Sequence, residues 1–528
     1  MRRLVSVYLG VLLLLSVAPA GMALDITADT TWSGAKVVDE TITLVKGTLL
    51  IEPDSRITFG KAGVIQLGAE AMLRAGGSAE KPIVFSADHA GKIVGRGPAV
   101  FEHCRFTGLG ANGEADKPSH WMQASADGEG IVFRSCSFQD CSVLEIGGGQ
   151  LGELSGCDFR DCRGEIRMIG RKLRIVGNTI KGASLSGYEA DVALVKDNVV
   201  VDGGIGGFVA FRIGQKDVSD ADRKDAQARV GNVLIENNYV HWNRAGGKVC
   251  LGWVSGTIRG NLFRGATWTC SRVAGVIRGN VIESVPEVVF KKSGNLNDFG
   301  THEHICGTFA DTLIERNLFV HPSYGAIMGI GAATCTGNII RNNTFDMRGV
   351  GEPIYLNHLP ESNPRDIVIR NNLFLRGGMV MDERGIPDSA SYCDYNAWVP
   401  VHAKGRFSKV SLTGRQEGSP GFGGHDIADK DMSPDQVIEN TKFEFPYDDE
   451  DLLARKHRVA DCIELYRKAY SLKAGSPAIN AGDPQDKDDP EVKDGRCDIG
   501  AVEFRNSTPL GAAPLRESDA VPASQPNR

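Results

Sequence analysis

Between Phe101 and Phe374 the chain repeats one six-residue phrase: an apolar residue, two variable positions, Asn or Cys, one variable position and a second apolar residue. The fourth position is filled by Cys104, Cys136, Cys157, Asn178, Asn198, Asn238, Asn261, Asn280, Asn317, Asn343 and Asn372, eleven copies in all. Phe, Leu, Ile or Val flanks every copy, from Phe101 and Phe106 around Cys104 to Ile369 and Phe374 around Asn372. Successive copies stand 32, 21, 21, 20, 40, 23, 19, 37, 26 and 29 residues apart. The unit is therefore a coil of about twenty residues with loops inserted on some turns, and the two longest gaps read as each hiding one weakly marked further coil. Each copy is too short for a helical hairpin. It is rich in β-branched and aromatic residues and punctuated by Gly and Asn, which predicts strand, bend, strand. Coils of this kind stacked at the ~4.8 Å strand spacing make a parallel β-solenoid. Asn at the bend is expected to turn inward, adopt the unusual backbone itself and hydrogen-bond the Asn of neighbouring coils as a ladder.

Before the repeats, Gly47–Pro53, Ile57–Phe59, Val64–Leu67 and Pro82–Phe85 alternate in the same manner and read as opening coils under a short cap. After Trp398 the phrase stops. Apolar residues at Leu452, Val459, Ile463, Tyr466 and Tyr470 predict one amphipathic helix over Asp451 to Tyr470, packed on the solenoid.

The phrase resembles the right-handed parallel β-helix (pectate-lyase-like) superfamily, over most of the chain. That resemblance implies an all-β, right-handed parallel β-helix with an internal Asn/Cys ladder, an N-terminal cap and a short C-terminal helix-containing extension. It says almost nothing about chemistry. Gly475–Pro484 and Cys497–Phe504 resemble the closing segment of bacterial exported β-helix proteins. The expected divisions are a leader at 1–23, cap and first coils at 24–98, repeats at 99–400, extension at 401–475, closing segment at 476–504 and a disordered tail at 505–528.

Composition adds an export reading. Arg2 and Arg3, an apolar run from Leu4 to Val17 and small residues allowing cleavage after Ala20 or Ala23 read as a signal peptide, too short to span a bilayer. The expected location is secreted or periplasmic, without membrane insertion after leader removal, and the expected state is a monomer. A formal charge of −7 offers no support for nucleic-acid binding and argues against passive attraction of polyanions. Twelve cysteines in an exported chain suggest disulfides. Cys104, Cys136 and Cys157 nevertheless fill ladder slots, and Cys141 and Cys162 lie one coil apart, so a buried stack of parallel thiols is the preferred expectation.

Polar residues concentrate between Pro286 and Tyr324, inside the 37-residue gap. They include Glu287, Lys291, Lys292, Asn295, Asp298, His302, Glu303, His304, Asp311, Arg316, His321 and Tyr324. Loops inserted on a rigid scaffold are where sites tend to be built. The stretch Glu287-Val-Val-Phe-Lys-Lys-Ser-Gly-Asn295 is similar to the calcium-dependent β-helix lyases of the chondroitinase B and alginate lyase type. The resemblance implies that Glu287 helps hold calcium and Lys292 is the base, with Ser293 and Asn295 also matching. Eliminating the 4-linked group of a uronate requires removal of the weakly acidic C5 proton while a cation neutralises the carboxylate, and Lys291 beside Lys292 would depress its pKa. Val285 stands where the family has a second acidic residue, and the family's later arginine is not found near Gly307, leaving Arg316 and His304 as substitutes. Lys291, Asn295, His302, His321 and Tyr324 are the candidate substrate-binding residues.

Two alternatives compete. A glycoside hydrolase needs two carboxylates about 5.5 Å apart for retention or about 6.5–9.5 Å apart for inversion, with Asp298, Glu303, Asp311, Asp382 and Glu383 as candidates. A non-catalytic glycan-binding or surface solenoid would need none of them. His120 and Trp121 are candidates for one wall of a sugar cleft, and the charged run Gly214–Arg229 reads as a solvated loop. The acidic cluster Asp483, Asp486, Asp488, Asp489, Asp494 and Asp498 lacks EF-hand spacing and reads as a solvated loop rather than a calcium site.

Overall fold

The computed structural model describes residues 24–87, 91–110, 122–124, 130–142, 144–146, 151–162, 164–188, 190–209, 232–241, 248–252, 255–265, 267–283, 303–321, 325–330, 337–348, 352–357, 366–376, 381–382, 390–400, 423–486 and 496–502. Each coil carries three short strands, and each strand pairs in parallel with its counterpart in the next coil. In one coil these are Gly164–Ile169 on a first face, Lys172–Val176 on a second and Thr179–Lys181 on a third. Their partners are Ala183–Tyr188, Val192–Lys196 and Val199–Val201. Long strands such as Thr267–Arg278 and Glu303–Glu315 bend across from the first face to the second, so these two faces join as one 26-stranded sheet while the third forms a 16-stranded sheet. The whole is a right-handed parallel β-helix, the hand that right-twisted parallel strands impose on a crossover. Its first coil begins at Leu24, which pairs with Ile42.

The ladder sits at the turn from second to third face. From Asn178 through Asn198, Asn238, Asn261, Asn280, Asn317, Asn343 and Asn372 to Asn396, each Nδ2 donates to the next Oδ1 at 2.8–3.1 Å. Each Asn also donates its backbone N–H to that same oxygen, as Asn178 does to Asn198 at 3.0 Å. Every amide is thereby satisfied in a water-free core, where an unpaired one would be costly. Asn396 is a twelfth copy that the repeat count stops short of, because its flanks are Cys393 and Trp398. Its own N–H donates to Asp426 Oδ1 at 2.8 Å, and Trp398 Nε1 donates to Asp426 Oδ2 at 2.9 Å, so a carboxylate closes the column.

The unusual backbone falls on the residue before the ladder position rather than on the Asn. His103, Ser135, Gly156, Gly177, Asp197, Asn237, Gly260, Gly279, Arg316, Asn342, Asn371 and Tyr395 all have φ between 49° and 70°. One left-handed residue swings the chain through the corner and aims the following side chain inward. Glycine supplies this at four of the twelve without a Cβ penalty.

Neither long gap hides a coil. Asn198 bonds Asn238 directly and Asn280 bonds Asn317 directly, and Val199–Val201 pairs with Tyr239–His241 as Val281–Glu283 pairs with Leu318–Val320. The extra residues are insertions between faces: 210–231 between first and second, 284–302 between third and first.

Cys104, Cys136, Cys141, Cys157, Cys162, Cys393, Cys462 and Cys497 are buried free thiols, as the stack expectation requires. Cys136 Sγ reaches Phe101 O at 3.4 Å and Cys157 Sγ reaches Phe133 O at 3.7 Å, the carbonyl position that Asn178 Nδ2 takes on Leu154 at 2.8 Å. Burial, reinforced by the neighbouring thiol of Cys136, pushes Cys104 and Cys157 far above the ordinary thiol range and keeps them protonated. Beside them Phe85, Phe106, Phe138 and Phe159 stack with centroids 4.2–4.9 Å apart.

The single helix expected over Asp451 to Tyr470 is two: α1 (Asp449–Leu453) and α2 (Val459–Ala469). The break places Arg455 at φ 53°, from where its guanidinium donates to Asp197 O at 3.1 Å and Asn178 O at 2.9 Å on the ladder corner. Helix propensity yields here to a bond with the solenoid. Leu452, Leu453, Val459, Ile463 and Tyr466 pack with Val199, Val201, Leu262, Val281, Leu318 and Val320 of the third face in a second apolar core.

Candidate functional site

The solenoid has three faces, and the C-terminal segments occupy two of them. On the third, Tyr466 Oη donates to Glu283 Oε2 at 2.7 Å and Tyr470 Oη to Asp346 Oδ2 at 2.6 Å. Tyr239 Oη donates to Asp449 Oδ1 at 2.8 Å, where His241 Nδ1 also sits at 2.7 Å. On the second, the closing segment clamps a charged lattice. Arg341 holds Glu315 at 2.8 Å and pairs with Asp486, and Arg370 reaches Asp486 at 3.1 Å. Tyr392 Oη donates to Asp483 at 3.0 Å, and Asn371 donates to Asp486 at 2.9 Å.

Asp483, Asp486 and Asp498 are buried, at 2%, 5% and 3% exposure, which overturns the solvated-loop expectation for these three. Asp486 is pinned by Arg341, Arg370 and Asn371 and Asp483 by Arg370 and Tyr392, while Asp498 accepts from the Asn480 N–H at 2.7 Å, and buried carboxylates persist only when so paired. Asp488, Asp489 and Asp494 lie outside the described residues. Among the described residues no grouping of three or more His, Cys, Asp or Glu is arranged to hold a metal.

Several polar candidates lie on connections that lead into the first face. Strand Glu303–Glu315 carries His304 at its start, and Glu303 is the register partner of Gly325 on the next coil's first-face strand. Residues 284–302 lead from Glu283 into the first of these strands, and 322–324 lead from His321 into the second. Glu287, Lys291, Lys292, Asn295, Asp298, His302 and Tyr324 therefore all belong to connections entering the first face on adjacent coils, and they lie outside the described residues. So do His120, Trp121, the run Gly214–Arg229 and Glu383.

His321 is half-buried at the turn leaving the third face, at φ 52°, with its N–H donating to Asp346 O at 2.8 Å. Burial, then the Arg348 guanidinium, lowers its pKa, so the imidazole is neutral at pH 7. Its Nδ1 is buried without a hydrogen-bond partner among the described residues. Arg316 is not brought to this side. It is 4% exposed at the corner between second and third faces, directly before Asn317. The chain has turned that corner in the twelve residues from His304, which residue counting alone does not reveal. Of the hydrolase carboxylates, Glu303 and Asp382 occupy first-face strands three coils apart.

Glu283 is a contact that sequence reasoning missed. It takes Arg264 Nε at 2.7 Å as well as Tyr466, and it is the last described residue before the 284–302 connection. Its partners lie 19 and 183 residues away, so no local pattern announces it.

No protein-family model matches the chain, and no curated protein does. Among solved structures, the pectate lyase Pel9A is similar at 13% identity and a TM-score of 0.27, over 87% of this chain and 88% of that one. A mannuronic-acid-specific family 6 polysaccharide lyase from human gut microbiota is similar at 12% identity and a TM-score of 0.30, over 77% and 92%. A family 6 polysaccharide lyase from Pseudopedobacter saltans gives 14% identity and a TM-score of 0.29, over 77% and 94%. The fold assignment rests on the strand registers and the ladder.

Proposed function

We propose that this chain is a secreted or periplasmic enzyme that cleaves a uronate-containing polysaccharide by β-elimination on the first face of the solenoid. The observation that carries the reading is topological. The lyase-like stretch from Glu287 to Asn295 and the connection holding Tyr324 lead into register-paired strands on the first face.

In this assignment Lys292 takes the C5 proton of a uronate, and His304, on the strand that follows, is assigned the assisting role. His302, His321, Tyr324, Lys291 and Asn295 hold the polymer. A neutral His321 suits hydrogen bonding to sugar hydroxyls. Glu287 is the residue to which a calcium ion would be assigned, and a bound cation would supply charge neutralisation of the uronate carboxylate. Arg316, on the opposite corner, has no part in it.

The test is incubation of the mature protein with alginate, polygalacturonate and chondroitin, following ultraviolet absorbance of the unsaturated product with calcium and with chelator. Absorbance that grows and disappears in Lys292→Ala supports the assignment. New reducing ends without absorbance would replace it with a hydrolase, and neither signal would leave a glycan-binding solenoid.

A further inference from the structure

We propose that Cys141 and Cys162 form a binding site for a soft monovalent cation, Cu(I), held in line between two sulfurs. Both stand at the turn from third to first face. There the buried position of successive coils is filled by Leu109, Cys141, Cys162 and Ala183, each preceded by a left-handed residue at Gly108, Asp140, Asp161 and Gly182. Gln139 and Arg160 are register partners on the strands before the turn, so the cysteines that follow them occupy equivalent places one coil apart. As the column shortens from Leu to Cys to Ala it leaves a cavity of about 10 Å³, room for a single water or ion. Both cysteines border it, with Phe138, Phe159, Glu165 and Ala183.

Stacked coils set neighbouring thiols parallel, which is poor geometry for a disulfide, and both thiols are free. The same alignment suits a bridging ion. Such an ion lies on the stacking axis and meets each sulfur roughly at a right angle to its Cβ–Sγ bond. Two metal–thiolate bonds of about 2.3 Å span ~4.6 Å, and the side chains beside the pair, Phe138 and Phe159, stack with centroids 4.2 Å apart. Thiolates select soft ions such as Cu(I), and an ion that takes two ligands in line needs no third.

The two sulfurs already interact through a proton. Cys162 donates to Cys141, and that bond outweighs burial, holding the Cys141 thiol below its ordinary range and raising that of Cys162. The pair's other S–H contacts are to carbonyls at 3.4–3.6 Å, weak bonds that an ion displaces at little cost. Cu(I) takes the place of the proton between the sulfurs. Two sulfur–metal bonds form, the thiol protons leave to solvent, and no electron moves, so the step needs no oxidant. The Cys104, Cys136 and Cys157 column is stacked in the same way but does not border the cavity. It is 1–2% exposed, whereas Cys141 and Cys162 are 3% and 5% exposed. Neither cysteine of the pair has a part in the lyase reading, which can fail without touching this site.

The experiment is titration of the reduced, folded protein with Cu(I) against a colorimetric Cu(I) chelator, in the parent, Cys162→Ala and Cys136→Ala. Copper X-ray absorption is recorded on the parent loaded with a single equivalent. Cys162→Ala is expected to lose one equivalent of chelator-resistant Cu(I), Cys136→Ala to lose none, and the loaded parent to show two sulfur neighbours at the metal. Cys141→Ala gives the same loss if Cys162→Ala fails to fold. Full retention in Cys162→Ala, or a loss that Cys136→Ala matches or exceeds, overturns the site. Displacement of Cu(I) by Zn(II), or nitrogen and oxygen neighbours at the metal, overturns the ligand. A parent that holds no Cu(I) against the chelator overturns both.

Discussion

The third face is built in two different ways along one rod. In the N-terminal coils its outward positions are polar: Thr58, Ser86, Arg105, Thr107, Ser137, Gln139, Asp158 and Arg160. From Val199 onwards they are mostly apolar, through Val201, Tyr239, Leu262, Val281, Leu318, Val320, Leu373, Leu375, Ala397 and Val399, with His241, Arg264, Glu283, Thr344 and Asp346 as the polar positions, and whole strands such as Leu318–Val320 are buried on both sides. Strands covered on both faces read as continuous apolar runs, and strands wet on one side alternate. The interior changes in step. The N-terminal half fills the corner slot with thiols and the other half fills it with the amide ladder, while aromatic stacks line both, Phe106–Phe138–Phe159 in one and Phe319–Phe345–Phe374–Trp398 in the other. The corner of the wet half is thus held by weak S–H bonds, and that of the covered half by a column of buried amides that tolerates no gap.

A lysine at Val320, under α2, should cost about 4 kcal/mol because a charge is buried without a partner. A lysine at exposed Thr107, on the same face of the wet half, should stay within about 0.5 kcal/mol. Urea midpoints of the two variants would measure the contrast, and equal midpoints would remove it.

Asn261→Leu strips Asn238 of the acceptor for both its backbone N–H and its Nδ2, a loss of about 3 kcal/mol or more. Cys136→Ala should cost about 1 kcal/mol, since it removes one buried sulfur and a weak bond. Comparable losses would show that the two columns are equivalent after all.

Tyr466→Phe should destabilise the extension by about 1–2 kcal/mol, leaving Glu283 to Arg264 alone. Hydrogen exchange in α2 should rise while the N-terminal coils stay protected. A uniform rise would mean that rod and extension open as one unit.

The smallest effect is expected from acid. Burial alone would raise the carboxyl of Asp449, but the bonds from His241 and Tyr239 prevail and hold it below its ordinary value. A depressed carboxyl contributes stability that is complete above the unfolded pKa of about 3.9 and is lost as pH falls through the lower folded value. Limited proteolysis below about pH 4 should therefore cut around α1 before the Phe-stacked coils. Asp449→Asn should remove that sensitivity.

How much of this was legible depends on the distance over which each residue finds its partner. The ladder reads from the sequence because every rung restates it, and its one omission, Asn396, is masked by a Cys and a Trp in the flanks. The switch of the third face is legible too, once Val-Val-Val at 199–201 and Leu-Phe-Leu at 373–375 are set beside Ser-Phe-Gln at 137–139. The left-handed corner residues are not, since twelve positions are filled by Gly, Asn, Asp, Ser, His, Arg and Tyr alike. Nor are the burial of Asp486 or the break at Arg455, whose partners are 145 and 277 residues away. At the candidate site the composition was legible and its sidedness was not. His304 and Arg316 look like neighbours in sequence and sit on different sides of the rod.

The aspartate that ends the ladder changes what the column can offer next. Each ladder Asn sends its backbone N–H toward the C-terminus, so the last N–H, that of Asn396, faces outward, while its Nδ2 turns back to Ile369 O and Asp394 O. Asp426 meets that N–H with an oxygen and has no side-chain N–H of its own to hand on. The relay of side-chain donors that runs rung to rung therefore ends in an acceptor.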